Sequence, residues 1–322
     1  MTEFQEIIIG AEEEGCRTDR IVRKRLALMP LSSIYRLFRK GNVRIGDKRA
    51  KQDYRLRTGD ILRIGVAAAE LSVPKGPDSS LIHLTSTSFF RKNFNVLYED
   101  TDLLACNKPA GLVVHPGSGH TRHDSLIELA TAYIAGGNRG TPGDEIALAH
   151  RLDRDTSGVI LIAKNKRTLR RLHEQFRQHS LTKEYRAICH RRPPENEGTL
   201  RSRLARNDRR SSGMKMRIHA GGREAVSSYC VDSFNGTISG VTILLETGKT
   251  HQIRVQMAEA GAPIVGDVRY GDTNADHRLF GGDTSPRLFL HALRLRINHP
   301  HTGKSLSIKA PLPEPFTRLL TG

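Results

Sequence analysis

The stretch HRLDRDTSG, residues 150–158, is dense in charged groups and runs directly into the apolar segment VILIA, residues 159–163. That segment is short, mostly β-branched, and bounded by Gly158 and Lys164, which predicts a buried strand rather than a helix. We therefore expect Asp153 to lie in a loop at the start of a rigid core strand, where proteins often hold reactive groups.

The charges of this stretch have two interpretations. Arg151 and Arg154 flank Asp153, and neighbouring cations favour the ionised carboxylate that a nucleophile or a general base requires. A salt-bridged surface turn, closed by Thr156-Ser157-Gly158, would carry the same charges, and such turns are more common than catalytic ones. The charges alone leave both possibilities open.

The composition is that of a soluble globular protein. The 322 residues can form one large domain and one small one, and 37% of them are hydrophobic. No apolar run approaches the roughly 20 residues that a membrane span needs. Five glutamates among the first 15 residues are wrong for a secretory signal or a transit peptide, so we expect a cytoplasmic protein.

The net charge predicts a polyanionic partner. Lysine and arginine number 51 against 34 acidic residues, which gives +17 at pH 7. Such an excess favours binding to nucleic acid or to a membrane surface. Aromatic residues make up 5% and tryptophan is absent, so we expect contacts with backbone phosphates rather than a broad stacking platform.

Neither a metal nor a cofactor is predicted. The four cysteines stand singly, without a CxxC pair, and are interpreted as packing residues. His115, His120, His123 and His150 lack the spacing of zinc hydrolases, and we found no nucleotide-binding glycine loop.

Residues 1–65 predict a small basic module in front of the main domain. Its expected elements are a helix over residues 18–28, a second helix capped by Ser32 and Ser33, and strands over residues 40–48 and 61–64. Residues 17–63 hold 15 lysines and arginines against four aspartates, a net charge of +11. Residues 66–92 predict a linker, and residues 93–322 predict the main domain.

Four further motifs of the main domain, together with HRLDRDTSG, carry a family resemblance. They are NKPAGLVVHPGSGH at 107–120, TKEYRAI at 182–188, ETGKTHQIRVQM at 246–257 and PIVGDVRYG at 263–271. In this order they resemble the RluA-type pseudouridine synthases, which isomerise uridine in RNA. Lys249 stands where that family usually has arginine, and Gln256 where it usually has histidine.

The resemblance implies roles for particular residues. Asp153 would be the catalytic residue, Tyr185 would lie against the uracil ring, and Arg254 would support the carboxylate. Asp153 would either attack the ribose C1′, giving an acylal, or remove a proton from C2′, giving a glycal. Further substrate or RNA contacts are expected from Arg151 (which would fill the space that the extruded uridine leaves), Arg154, Ile253 and His150.

The resemblance also implies the architecture and the substrate. We expect an α+β catalytic domain on a mixed, largely antiparallel sheet, with helices over residues 125–134, 166–178 and 251–259. The front module resembles a small RNA-binding module of a small-subunit ribosomal protein, and Lys40 and Arg44 are its predicted RNA contacts. Large-subunit rRNA is the expected substrate, and we expect the enzyme to be a monomer that needs no cofactor. Modification of tRNA, and an RNA-binding protein without catalysis, are the alternatives.

Basic residues also fill residues 201–223, which could form an RNA-contacting hairpin or a solvated loop.

Overall fold

The computed structural model describes residues 3–26, 31–66, 88–115, 125–136, 146–207, 215–283, 285 and 287–321. The chain divides into two compact units, residues 1–78 and 79–322. The finer bounds of module, linker and catalytic domain stay a prediction, because residues 67–87 of the expected linker lie outside the described residues. Among the helices described, none has the length and apolar character needed to cross a bilayer.

The first unit is a four-stranded antiparallel sheet with two helices. Its elements are β1 (Glu3–Ile8), a 3-10 turn (Ala11–Glu13), α1 (Thr18–Arg25), α2 (Leu31–Lys40), β2 (Val43–Ile45), β3 (Lys48–Arg49) and β4 (Ile61–Val66), with strand order β1-β4-β2-β3. Val22 of α1, Ile34 of α2 and Leu62 of β4 are buried in one cluster. Apolar side chains on one face of each helix therefore close over the sheet.

Four details of this unit differ from the sequence prediction. The first helix ends at Arg25 rather than at residue 28, and Ser32 and Ser33 lie within the second helix instead of preceding it. The single strand expected over residues 40–48 is a hairpin, because Gly46 adopts a positive φ of 57° and reverses the chain between β2 and β3. Strand β1 was not predicted. Its glutamates were interpreted only as incompatible with a secretory signal or a transit peptide.

The second unit is built on an eleven-stranded sheet. Nine strands follow the order β11-β10-β12-β13-β9-β14-β8-β6-β5, with β15 beside β14 and β7 beside β8. The strands are β5 (Val96–Glu99), β6 (Leu103–Lys108), β7 (Ala147–Leu148), β8 (Ser157–Ala163), β9 (Thr182–His190), β10 (Glu197–Asn207), β11 (Lys215–Ile218), β12 (Arg223–Phe234), β13 (Ile238–Leu245), β14 (Leu290–Asn298) and β15 (Ser305–Lys309). Only β14 and β8 pair in parallel among the described strands, so the predicted mixed, largely antiparallel sheet is confirmed.

Six helices accompany this sheet. They are α3 (Ser88–Asn93), α4 (Leu126–Gly136), α5 (Lys166–Arg177), α6 (Gln252–Glu259), α7 (Thr273–Leu279) and α8 (Glu314–Thr321). The three predicted helices correspond to α4, α5 and α6. Helix α3 lies at the end of the expected linker, and Phe90 within it packs against the main core. This end of the segment is therefore part of the folded second unit.

Strand β8 positions the charged stretch, as its apolar sequence predicts. All seven residues of β8 are buried, and the strand pairs with β6 on one side and β14 on the other. Gly158 has a φ of 116°, and a Cβ there would lie 2.2 Å from the carbonyl oxygen of Ala292. Glycine is therefore required where the charged loop enters the sheet.

The cysteines divide between core and surface. Cys106 and Cys189 are buried, and Cys16 is half-buried against the core of the first unit. Cys230 is exposed on β12, so its interpretation as a packing residue is wrong.

Candidate active site

The charged loop, β9 and the N-terminal end of α6 enclose a pocket of about 320 Å³. It is lined by Ala149, His150, Arg151, Leu152, Asp153, Thr156, Phe176, Lys183, Tyr185, Leu245, Gly248, Lys249, Thr250, His251, Gln252, Ile253, Arg254 and Leu290. Asp153, Tyr185 and Arg254, which lie far apart in the sequence, are thus brought together.

The charged loop is held at two points on the C-terminal side of Asp153. Lys108 is fully buried, and its Nζ donates to the carbonyl oxygens of Arg154 (2.7 Å), Pro109 and Leu112 (both 2.8 Å). Burial lowers the pKa of Lys108 to about 7. Where the loop enters β8, Ser157 Oγ accepts a hydrogen bond from Arg287 Nη2 at 2.6 Å. The loop backbone around Asp153 therefore has little freedom to move.

Arg254 holds two carboxylates at once. Its Nε and Nη2 donate to the two oxygens of Asp267, each at 2.7 Å, and its Nη1 donates to Asp153 Oδ2 at 3.3 Å. The Arg254 side chain is only 5% exposed. Burial would lower the pKa of Arg254, but Asp267 and Asp153 outweigh it and raise the pKa. Arg254 is therefore a fixed cation beside Asp153.

Asp267 orients this arginine, and the sequence analysis assigned it no role. Its Oδ1 also accepts the backbone N–H groups of Arg269 (2.9 Å) and Tyr270 (3.1 Å). Burial would raise the pKa of Asp267, but the hydrogen bonds and the charge of Arg254 lower it. A signal was available, because Asp267 belongs to the PIVGDVRYG motif, but the motif alone does not say which group the carboxylate contacts.

Tyr185 lies on β9 and contributes its buried side chain to the pocket wall. Burial and the negative charge of Asp153 raise the pKa of its phenol, so the hydroxyl keeps its proton at neutral pH. A neutral aromatic ring beside a carboxylate can pack against a base and also donate a hydrogen bond.

His150 and Ile253 line the pocket in different ways. His150 Nε2 accepts the backbone N–H of Leu161 at 3.0 Å, and the ring packs against Phe176 with centroids 5.1 Å apart. Burial lowers the pKa of His150 to about 3, so its acceptor nitrogen serves the fold rather than a substrate. Ile253 is 5% exposed and supplies an apolar wall next to Arg254.

The two arginines of the charged loop are both exposed. Arg154 forms a two-point ion pair with Asp155, with distances of 2.9 and 3.2 Å. Arg151 lines the pocket and has no ion-pair partner among the described residues. Arg151 is thus the more available of the two for an external anion.

Two lysines at the pocket were missed in the sequence analysis. Lys183 lies two residues before Tyr185 on β9, so both side chains project from the same face of the strand. Its Nζ donates to the carbonyl oxygen of Glu246 at 3.1 Å. Burial and the charge of Lys249 lower the pKa of Lys183 to about 8. Within the described part of the chain, neither lysine has an acidic partner.

Gln256 replaces the histidine usual in the resembled motif and has a structural position. Its Nε2 lies 3.1 Å from the carbonyl oxygens of Leu200 and Ala225 and 3.0 Å from Ser202 Oγ. Its Oε1 accepts from Ser227 Oγ at 2.9 Å. The side chain therefore fastens α6 to β10 and β12. The expected helix start at His251 is one residue too early, because His251 has a left-handed backbone and α6 begins at Gln252.

Lys40 and Arg44 belong to the first unit. Lys40 is exposed at the end of α2, whereas Arg44 is half-buried. Arg44 Nε donates to the carbonyl oxygen of Gly41 at 3.2 Å, and the guanidinium lies 5.2 Å from the centre of the Phe4 ring. Their RNA contacts stay a prediction. The residues flanking 208–214 pair as strands β10 and β11, while the tip of this basic segment lies outside the described residues.

Among the described residues, no three His, Cys, Asp or Glu side chains are grouped as a metal site would require. His115 is exposed, and His120 and His123 lie outside the described residues.

Comparison with known proteins identifies the family. Residues 102–259 match the family described as RNA pseudouridylate synthase. Ribosomal large subunit pseudouridine synthase C of Salmonella typhi and that of Escherichia coli (strain K12) are each 37% identical to this chain over 317 residues, which covers 98% of this chain and 95% of each relative. The chain belongs to the RNA pseudouridylate synthases. The predicted family and enzyme class are thereby confirmed.

A solved structure of human RNA Pseudouridylate Synthase Domain Containing 4 has the same fold. It aligns with a TM-score of 0.59 at 27% identity and covers 76% of this chain and 96% of that chain. This synthase therefore isomerises uridine in RNA, and its pocket is the candidate site of that reaction.

Proposed function

We propose that this synthase isomerises uridines of large-subunit rRNA, with Asp153 as its catalytic carboxylate. The observation that carries the assignment is the 3.3 Å ion pair between Arg254 and Asp153 in a pocket that also presents Tyr185. A carboxylate that is held by a buried cation and is partly exposed is accessible to a substrate, as a nucleophile or a base must be.

The reaction needs one carboxylate and no redox partner. The C1′–N1 glycosidic bond breaks, the uracil turns, and a C1′–C5 bond forms. Asp153 would act on the ribose, either at C1′ or on the C2′ proton. Tyr185, whose phenol stays protonated, would hold the detached uracil and keep it in the pocket.

The target uridine must leave its stack to reach Asp153, which costs a few kcal/mol. Arg151, exposed at the pocket and without a described partner, would occupy the vacated space. Lys183 and Lys249 would bind phosphates next to the uridine, because two ammonium groups without acidic partners favour an anion between them. The net +11 of residues 17–63 in the front module would add sequence-independent affinity.

Large-subunit rRNA is favoured over tRNA by the names of the two relatives, whose similarity covers both units of this chain. We further infer that the enzyme is cytoplasmic and monomeric. Sedimentation of the purified protein would test the monomeric state.

The target is tested with purified enzyme and two separate substrates, a large-subunit rRNA transcript and unmodified tRNA transcripts. Pseudouridines are mapped by carbodiimide treatment and primer extension, and the same map is made on RNA from a strain that lacks the gene. We expect new stops in the rRNA transcript and their loss from the strain's rRNA. Modification confined to tRNA would contradict the proposed target while leaving the reaction class intact.

A further inference from the structure

A chain of polar contacts runs from β11 to the candidate catalytic carboxylate. The backbone N–H of Met216 donates to the hydroxyl oxygen of Tyr270 at 2.7 Å. That oxygen lies 2.8 Å from His251 Nδ1, and His251 Nε2 lies 3.9 Å from Asp153 Oδ2. The four groups form a continuous path from a strand backbone to Asp153.

The direction of the first bond favours one tautomer of the imidazole. The Tyr270 oxygen already accepts from Met216, and a phenol has one O–H to donate. If that O–H is directed to Nδ1, the imidazole carries its own proton on Nε2, the nitrogen that faces Asp153. Burial lowers the pKa of His251, with Asp153 opposing, so the ring is neutral at pH 7.

Two donors then converge on the same carboxylate oxygen. Arg254 Nη1 lies 3.3 Å from Asp153 Oδ2, and His251 Nε2 approaches that same atom. Within the described part of the chain, no hydrogen bond reaches Asp153 Oδ1. The two oxygens of one carboxylate therefore have different surroundings.

We propose that His251 is a positioning residue that donates Nε2–H to Oδ2 of Asp153 and leaves Oδ1 as the atom that acts on the ribose. This rests on the proposed role of Asp153. A separation of 3.9 Å is too long for a hydrogen bond, and such contacts often tighten only in the substrate complex. The bond forms when uridine fills the pocket.

The arrangement suits both routes open to Asp153. In the first, an Oδ1–C1′ bond forms while C1′–N1 breaks and its electron pair leaves with the uracil. Oδ2 then becomes a carbonyl oxygen that still accepts from His251 and Arg254. In the second, Oδ1 takes the C2′ proton, the C2′–H electron pair forms the C1′=C2′ bond, and uracil again leaves with the C1′–N1 pair. Reversal of either step through C5, with the C5 proton replaced by one on N1, completes the isomerisation.

A purely conformational role for His251 makes the opposite prediction about substitutions. Its φ of 53° and ψ of 21° place it in the left-handed region, where asparagine is the better tolerated residue. Glutamine is tolerated less well there, but its amide nitrogen extends about as far as Nε2. Asparagine places its amide near the position of Nδ1, too short to reach Asp153.

The test compares His251→Gln with His251→Asn in the full-length enzyme, by single-turnover rate at saturating RNA and by RNA affinity. We expect His251→Gln to keep the rate within about threefold and His251→Asn to lower it about 10- to 100-fold, the effect of a lost donor to a charged group. RNA affinity should stay the same in both. An equal or faster rate for His251→Asn, or wild-type rates for both, would overturn the proposal.

Tyr270→Phe supplies a second measurement that does not change His251. The ring keeps its contacts with His251 and Arg254, but the hydroxyl that orients the imidazole is lost. We expect a lower rate in the wild-type background and no additional loss in the His251→Gln background. If both His251 variants fail to fold, an unchanged rate for Tyr270→Phe overturns the proposal.

The two proposals fail in different ways. An active Asp153→Asn enzyme would remove the proposed function itself. An inactive Asp153→Asn enzyme combined with wild-type rates for His251→Asn and Tyr270→Phe would remove only the role of His251.

Discussion

The pocket contains two kinds of cation. Arg254, at what we call the inner end, is paired with carboxylates, whereas Arg151, Lys183 and Lys249, the outer cations, are not paired with any described carboxylate. Arg254 is buried and its three nitrogens are directed to two carboxylates, so its charge is already compensated. Arg151, Lys183 and Lys249 line the same pocket without an acidic partner among the described residues. The difference separates two tasks, since a compensated cation can orient a catalytic group whereas uncompensated cations can bind RNA phosphates.

The largest effect on folding is expected from removing the carboxylate that compensates Arg254. Asp267→Ala leaves a buried guanidinium with only Asp153 nearby, and breaking a buried pair costs about 3–5 kcal/mol. We expect a loss of that size in the free energy of urea unfolding, together with a large fall in turnover.

The matched control is Glu314→Ala, which removes the carboxylate of the exposed pair between Glu314 and Arg318 on α8 in the same unit. An exposed pair is worth at most about 1 kcal/mol. If the two variants lost equal stability, the inner end of the pocket would not differ from an ordinary surface pair.

Deleting the front module tests whether the outer cations alone can bind RNA well enough for the reaction. Deleting residues 1–73 removes the module, whose residues 17–63 carry a net +11, but none of Asp153, Tyr185 and Arg254. We expect weaker RNA binding and a shallower salt dependence, because each lost phosphate contact lowers the slope of log K against log salt by about 0.7–0.9. Isomerisation should return at raised RNA concentration. An enzyme that stays inactive at saturating RNA would show that the module completes the active site.

A smaller effect is expected from replacing one outer cation, Lys249. Lys249→Gln should weaken RNA binding severalfold and lower the salt slope by about one contact, without changing the rate at saturating RNA. Stability should not fall, because no described acidic partner is left uncompensated. Lys309→Gln, at an exposed position of β15, is the control and should change neither quantity. A loss of turnover at saturating RNA in Lys249→Gln would place Lys249 with the catalytic group instead.

The sequence predicted the elements whose pattern is local. The apolar run after Gly158 predicted the buried strand β8. Asp153, Tyr185 and Arg254 were identified by resemblance, and the structure brings them to one pocket.

Contacts between distant segments were not predictable in the same way. Asp267 pairs with Arg254 across a turn, and His251, whose backbone is left-handed, contacts Tyr270. No local sequence pattern predicts either contact. The pairing of β8 with β14, in parallel and 134 residues apart at Ser157 and His291, is likewise set by tertiary packing.

The central claim, that Asp153 carries the reaction, is tested most directly by comparing Asp153→Asn with Asp155→Asn. The two carboxylates lie two residues apart in one loop, but Asp153 pairs with buried Arg254 and Asp155 with exposed Arg154. The measurement is single-turnover pseudouridine formation at saturating RNA. We predict no detectable product with Asp153→Asn, RNA affinity and folding unchanged, and a nearly wild-type rate with Asp155→Asn. Pseudouridine formation by Asp153→Asn would contradict the account.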